Sequence, residues 1–163
     1  MKTTNGLLVL IFLTLGGCVS VSLGPKQAES AKNVKMVAPS EPFTEFSSPD
    51  ADHAWKDSAR GTSISYKSSC NDSSDTSLES MQQSTIYGLE SVKISKSTRI
   101  PYNGREALSS TIDGKLDGVA TKIELLILKK NFCSYILSYV ALDKSFDTDL
   151  KHFKTFVNTF EAP

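Results

Sequence analysis

The chain has 163 residues and sets 18 basic against 18 acidic side chains. That length fits one domain able to bury its own core. Balanced charge without a basic stripe argues against nucleic-acid binding, and the aromatic and β-branched residues between Ser63 and Phe160 argue against intrinsic disorder.

Met1–Lys2 is a thin positive start, and Leu7–Leu15 is an apolar run. A bilayer-spanning helix needs about 20 apolar residues, so residues 1–17 read as a secretory signal peptide. The run closes on Leu15-Gly16-Gly17-Cys18, which resembles the lipobox of bacterial lipoproteins. The resemblance implies diacylglyceryl transfer to the Cys18 sulfur, cleavage between Gly17 and Cys18, and acylation of the new amino group. Two small residues suit a peptidase that takes the chain extended through a narrow cleft. An ordinary signal peptide with a chance cysteine is the alternative. Each buried methylene contributes about 0.8 kcal/mol, and two or more acyl chains give stable attachment. In the Gram-negative families that this resembles, Asp after the cysteine favours the inner membrane. Val19 and Ser20 stand here instead, which leans toward the outer membrane facing the periplasm.

From Val19 to Pro42 the chain is rich in Ser, Lys, Pro, Ala and Glu, without apolar periodicity. Residues 18–42 therefore read as a lipidated N-terminus and flexible tether, spanning about 25–30 Å as a coil. The alternative is an extended arm packed on the domain. The globular domain is assigned to residues 43–163.

Phe43–Phe46 predicts a short strand before the Pro49-Asp50 turn. Thr62–Ser68 alternates and predicts a half-buried strand. Thr76-Ser77-Leu78-Glu79 fits a capping box, and Leu78, Met81, Thr85 and Leu89 at helical spacing predict a helix over Ser77–Tyr87, with Gly88 as its stop. Strands resume at Glu90, with turns at Pro101–Gly104, Asp113-Gly114, Asp117-Gly118 and Lys130-Asn131. Val119–Leu128 and Phe132–Leu142 are the long strands. The latter is apolar on both faces and calls for cover on each. Phe146, Leu150, Phe153, Val157 and Phe160 form one stripe on a closing helix, with Asp147 and Asp149 in its first turn and Lys151 and Lys154 later, as the dipole prefers.

This order predicts an α+β fold, a mainly antiparallel sheet with helices packed on it as an α/β/α sandwich. It is similar to the PsbP-like fold, named for a lumenal subunit of the photosystem oxygen-evolving complex. The shared points are Pro49 and Trp55, the helix after the second strand, the long central hairpin, and the closing Phe156-Val157-Asn158-Thr159-Phe160. The resemblance spans Phe43–Phe160 and implies a binding, assembly or accessory module; fold does not fix function.

Beyond Cys18, Cys70 and Cys133 remain. Export favours a structural disulfide between them; two separate thiols or a redox pair are the alternatives, the last lacking the close spacing that redox motifs show. Asp50, Asp52 and His53 could be taken for a metal site, but one histidine in an acidic loop reads more simply as solvated surface. His152 reads as solvent-facing. Lys96, Arg99 and Arg105 could form an anion patch on one hairpin, or simply protect a sheet edge. Trp55, beside Lys56 and Arg60, reads as core packing ahead of an interface anchor. With no Gly-x-Ser-x-Gly elbow and no phosphate loop, catalytic, cofactor and metal residues are each assigned as none.

The leading expectation is therefore a non-catalytic, membrane-anchored envelope lipoprotein that binds or scaffolds a protein partner. A small-ligand or lipid-binding module is the alternative, with an apolar pocket lined by Phe153, Phe156 and Tyr135. A hydrolase comes last, needing His53 or His152 to meet a serine and a carboxylate.

Overall fold

A computed structural model describes residues 29–71 and 75–163; the leader, Cys18 and positions 19–28 lie outside them. The elements in chain order are β1 (Thr44–Phe46), β2 (His53–Asp57), β3 (Thr62–Cys70), α1 (Leu78–Thr85), β4 (Glu90–Tyr102), β5 (Arg105–Leu116), β6 (Val119–Lys130), β7 (Cys133–Leu142) and α2 (Phe146–Thr159). The strands form one antiparallel sheet in the order β1-β2-β3-β7-β6-β5-β4. The segment carrying α1 takes the chain from β3 to the far edge. The meander β4 to β7 then walks back until β7 docks beside β3. Helices lie on both faces, so the α+β sandwich is the observed architecture.

Tight turns enforce the meander. Asn103-Gly104, Asp117-Gly118 and Asn131-Phe132 each join two strands, with φ positive at both residues. That is the signature of a two-residue type I′ turn, whose twist matches the strands. Asp113-Gly114, expected as another turn, lies inside β5 instead. Gly114 is needed there for approach: a Cβ would sit 3.3 Å from the Glu90 carbonyl oxygen and 3.5 Å from Leu89.

The larger core lies between α2 and the middle of the sheet. Phe146, Phe153, Phe156 and Phe160 pack on Trp55, Ile64, Tyr66, Leu126, Leu128, Tyr135, Leu137 and Tyr139. The buried line runs through Phe146, Asp149, Phe153 and Phe156, rotated from the expected stripe, so Leu150 and Val157 are only partly buried. Asp149 tolerates burial because Arg60 Nη1 donates to it at 2.8 Å and Thr62 Oγ1 at 3.3 Å.

On the other face α1 covers a smaller cluster of Leu108, Ile112, Ile123, Leu125 and Ile127 with Leu78 and Ile86. Its N-cap is Ser77, whose hydroxyl accepts from the Ser80 amide, in place of the expected Thr76–Glu79 box. Glu79 instead binds Arg99 on β4.

Two boundaries differ from the sequence reading. The stretch around His53, taken as a loop, is β2, paired with both β1 and β3. Positions 29–37, expected within the flexible tether, lie instead along the domain. Glu29 forms a bridge with Cys70 and Lys35 with Glu161. Ala31, Val34 and Met36 pack against the larger core. Backbone amides find fixed partners, as Ala31 N donates to Ser68 Oγ and Val37 N to Thr159 Oγ1. Scattered hydrophobes without a helical or strand period thus serve an arm that crosses several elements.

Candidate functional site

The central strand β7 is enclosed on one side only. Tyr135, Leu137, Tyr139 and Ala141 are buried under α2, while Ser134, Ile136, Ser138 and Val140 on the other face are half-buried. Helix α1 reaches over β5 and β6 but stops short of β7 and β3. The expected cover is only partial on this face, where Ile136 and Val140 pack beside the α1 cluster, because an eight-residue helix spans only about 12 Å.

The uncovered strip is an open groove of about 1150 Å³. Its floor is built by register: Ser65 faces Ser138, Lys67 faces Ile136, and Ser69 faces Ser134. Ser65 Oγ and Ser138 Oγ are 2.8 Å apart, a hydroxyl pair bridging the two strands. Met81, Ser84 and Thr85 of α1 wall one side, and Tyr87 and Phe132 rise from the rim. These two rings are 91% and 92% exposed, so they expose apolar surface that the fold leaves uncovered. The floor offers hydroxyls, the walls offer carbon, and Lys67, Arg105 and Lys129 supply positive charge. Such a mixture has the composition of surfaces that bind by complementarity. Among its described lining residues there is no histidine, and Cys133 is bonded to Cys70.

The residues singled out from sequence are placed as follows. Cys70 and Cys133 are directly paired across β3 and β7 and joined by a disulfide, with Cα atoms 4.0 Å apart. Trp55 is buried against Phe156, with ring centroids 5.4 Å apart, and is a core residue. His53 Nδ1 lies 2.7 Å from Glu45 Oε1, and its ring stacks on Trp55 and Tyr66. Asp52 serves the fold, accepting from Ser68 N and from the hydroxyls of Ser68 and Ser30, and so ties the arm to β3. Asp50 lies instead at the groove. His152, expected in solvent, packs partly buried against Phe43. Neither histidine is hydrogen-bonded to a serine among the described residues, so the triad a hydrolase requires is not assembled there. The anion patch is also dismantled, because Arg99 is held by Glu79 and Glu106. With bulges, Lys93, Lys96 and Pro101, β4 is instead a protected edge.

The pocket expected among Phe153, Phe156 and Tyr135 is filled. All three are buried, with Phe153 stacked on Tyr139 and Phe160 set edge-on to Tyr135. Burial pushes the phenols of Tyr66 and Tyr102 up to about 12, the nearby Asp52 charge adding to the first. These hydroxyls are structural and stay protonated at neutral pH.

No family model matches the chain, and no curated protein matches it by sequence. Solved structures do. CyanoP, the cyanobacterial PsbP of Synechocystis sp. PCC 6803, superposes with a TM-score of 0.59 at 13% identity, covering 91% of this chain and 99% of that one. The fold is PsbP-like. LpqN of Mycobacterium tuberculosis, described as involved in cell envelope biogenesis, matches this PsbP-like chain at 0.59 and 12% identity, over 86% and 88% of the two chains. The Ran-binding protein Mog1p of Saccharomyces cerevisiae matches at 0.56 and 12% identity, over 83% and 96%. At these identities the likeness speaks for the PsbP-like fold alone.

Proposed function

We propose that the chain is a non-catalytic module of the bacterial cell envelope, exported on residues 1–17 and lipid-anchored at Cys18. Its anchor sits in the outer membrane, with the domain facing the periplasm. It binds a protein partner through the open face of the sheet. The observation that carries the binding part is the one-sided cover of β7, which leaves Ile136 in a groove rimmed by the exposed Tyr87. Exposed apolar side chains beside hydroxyls and cations are the usual make-up of a partner surface. LpqN, involved in envelope biogenesis, and Mog1p, which binds Ran, lend support as neighbours of like fold that serve such roles.

The test is site-specific photocrosslinking in intact envelopes. A benzophenone amino acid replaces Ile136 in the groove or Thr155 on the outer side of α2, with Cys18→Ser as the unanchored control. One dominant protein trapped from position 136, absent from position 155 and lost in the control, is the expected result. Equal trapping from both positions would remove the groove from the reading.

A further inference from the structure

The three type I′ turns provide an internal comparison. Such a turn asks both central residues for positive φ, which Asn, Asp and Gly adopt most readily. Two turns comply, with Asn103-Gly104 at 51° and 72° and Asp117-Gly118 at 50° and 77°. The third sets Asn131 at 50° and then Phe132 at 62°. Phenylalanine is disfavoured there by the contact of its Cβ with the backbone. Burial does not compensate, since the ring is 92% exposed. A bulky apolar side chain in a disfavoured conformation, without packing to reward it, points to a role outside the fold.

Its position says what that role is. The described chain begins at the same end of the sheet: Glu29 bridges Cys70, Cys70 is bonded to Cys133, and Asn71 N donates to the Phe132 carbonyl at 3.1 Å. Glu29 thus lies about two strand spacings, roughly 10 Å, from the turn. The stretch from Cys18 to Glu29 reaches at most about 40 Å fully extended. Lys129 and Lys130 flank the turn but tuck back, donating to the carbonyls of Thr76 and Ala162, and the ring is the most exposed large apolar side chain among the described residues.

We propose that Phe132 seats the domain on the bilayer, the β6–β7 turn placing its ring at the headgroup–acyl boundary beside the lipid on Cys18. This rests on the lipid-anchor reading above.

The test uses the full chain, lipidated in a bacterial host and reconstituted into phosphatidylethanolamine/phosphatidylglycerol vesicles with dibrominated acyl chains. Bromine quenches a tryptophan that enters the lipid. The parent carries only the buried Trp55 and sets the baseline. Phe132→Trp is expected to lose roughly half its added emission, as a ring buried about 5–10 Å would. Leu116→Trp, beside the turn at the opposite end of the sheet, is expected to lose none. Equal emission from positions 132 and 116 in protein that floats with the vesicles would overturn the seat and leave the anchor standing. Protein that does not float would overturn both. Phe132→Gly supplies a second reading without lipid: it should raise the melting temperature by a few degrees. A lower melting temperature would show that the ring serves the fold, and the seat would fall.

Discussion

Tyr135 and Tyr139 occupy the same face of β7, both fully buried, with hydroxyls in opposite circumstances. Tyr139 donates to the Phe146 carbonyl at 2.9 Å and so holds the start of α2 to the sheet. The Tyr135 hydroxyl has no hydrogen-bond partner among the described residues. An unpartnered buried hydroxyl costs roughly 1–3 kcal/mol, while a typical bond contributes about 1 kcal/mol. Tyr139→Phe should therefore lower stability by about 1 kcal/mol, and Tyr135→Phe should leave it unchanged or raise it by about as much. Urea denaturation of both variants decides. Equal losses would mean that Tyr135 has a partner after all. The alternation along β7 marks both positions as buried, yet it cannot say which hydroxyl finds a carbonyl, since that carbonyl belongs to another element.

At the scale of elements, local patterns with a strong period are legible and those set by tertiary contact are not. The long strands, the Asn-Gly and Asp-Gly hairpins and both helices follow from alternation, turn chemistry and spacing. Strand β2 hides because His53, Lys56 and Asp57 make it read as polar. Its place is fixed by pairing on both sides and by Trp55 entering the core. The phase of α2 is misread because Asp149 looks solvent-bound until Arg60 and Thr62, 89 and 87 positions earlier in the chain, reach it. The groove was hidden for a related reason: apolar character on both faces of β7 does not reveal how short the covering helix will be. Glu124 on β6 shows how tertiary placement also sets a charge. Burial pushes its carboxyl up, against the opposing pull of the Thr111 hydroxyl bond and of Lys96, Lys154 and Lys122. A carboxyl raised in the folded state contributes stability below its unfolded value of about 4.3 and loses it as pH rises through the folded one. Glu124→Gln, which keeps an acceptor for Thr111, should thus stabilise the protein at neutral pH. The gain should vanish below about pH 4, and melting curves across pH would show it. A gain independent of pH would assign the effect to something other than titration.

The whole molecule is closed by two long-range devices at one end of the sheet. The disulfide fixes β7 to β3 across 63 positions, the junction where the returning meander meets the first strands. In the chain-entropy account a loop of that size contributes about 4 kcal/mol, so Cys70→Ser with Cys133→Ser should cost up to that much, read by urea denaturation. The other device is the arm of residues 29–42. It brings Val34 and Met36 to the α2 core, pairs Lys35 with Glu161 and lends Ser30 to the Asp52 cluster. A domain beginning at residue 43, where composition alone would place the boundary, therefore lacks a side of its own core. Burying an apolar side chain contributes roughly 1.5–3 kcal/mol when complete. With Val34 and Met36 both partial, residues 43–163 should be less stable than residues 29–163 by about 2–4 kcal/mol. Urea titration of the two proteins measures the difference. Matching midpoints would mean the arm only lies on the surface. A large loss would make the arm an integral part of the domain.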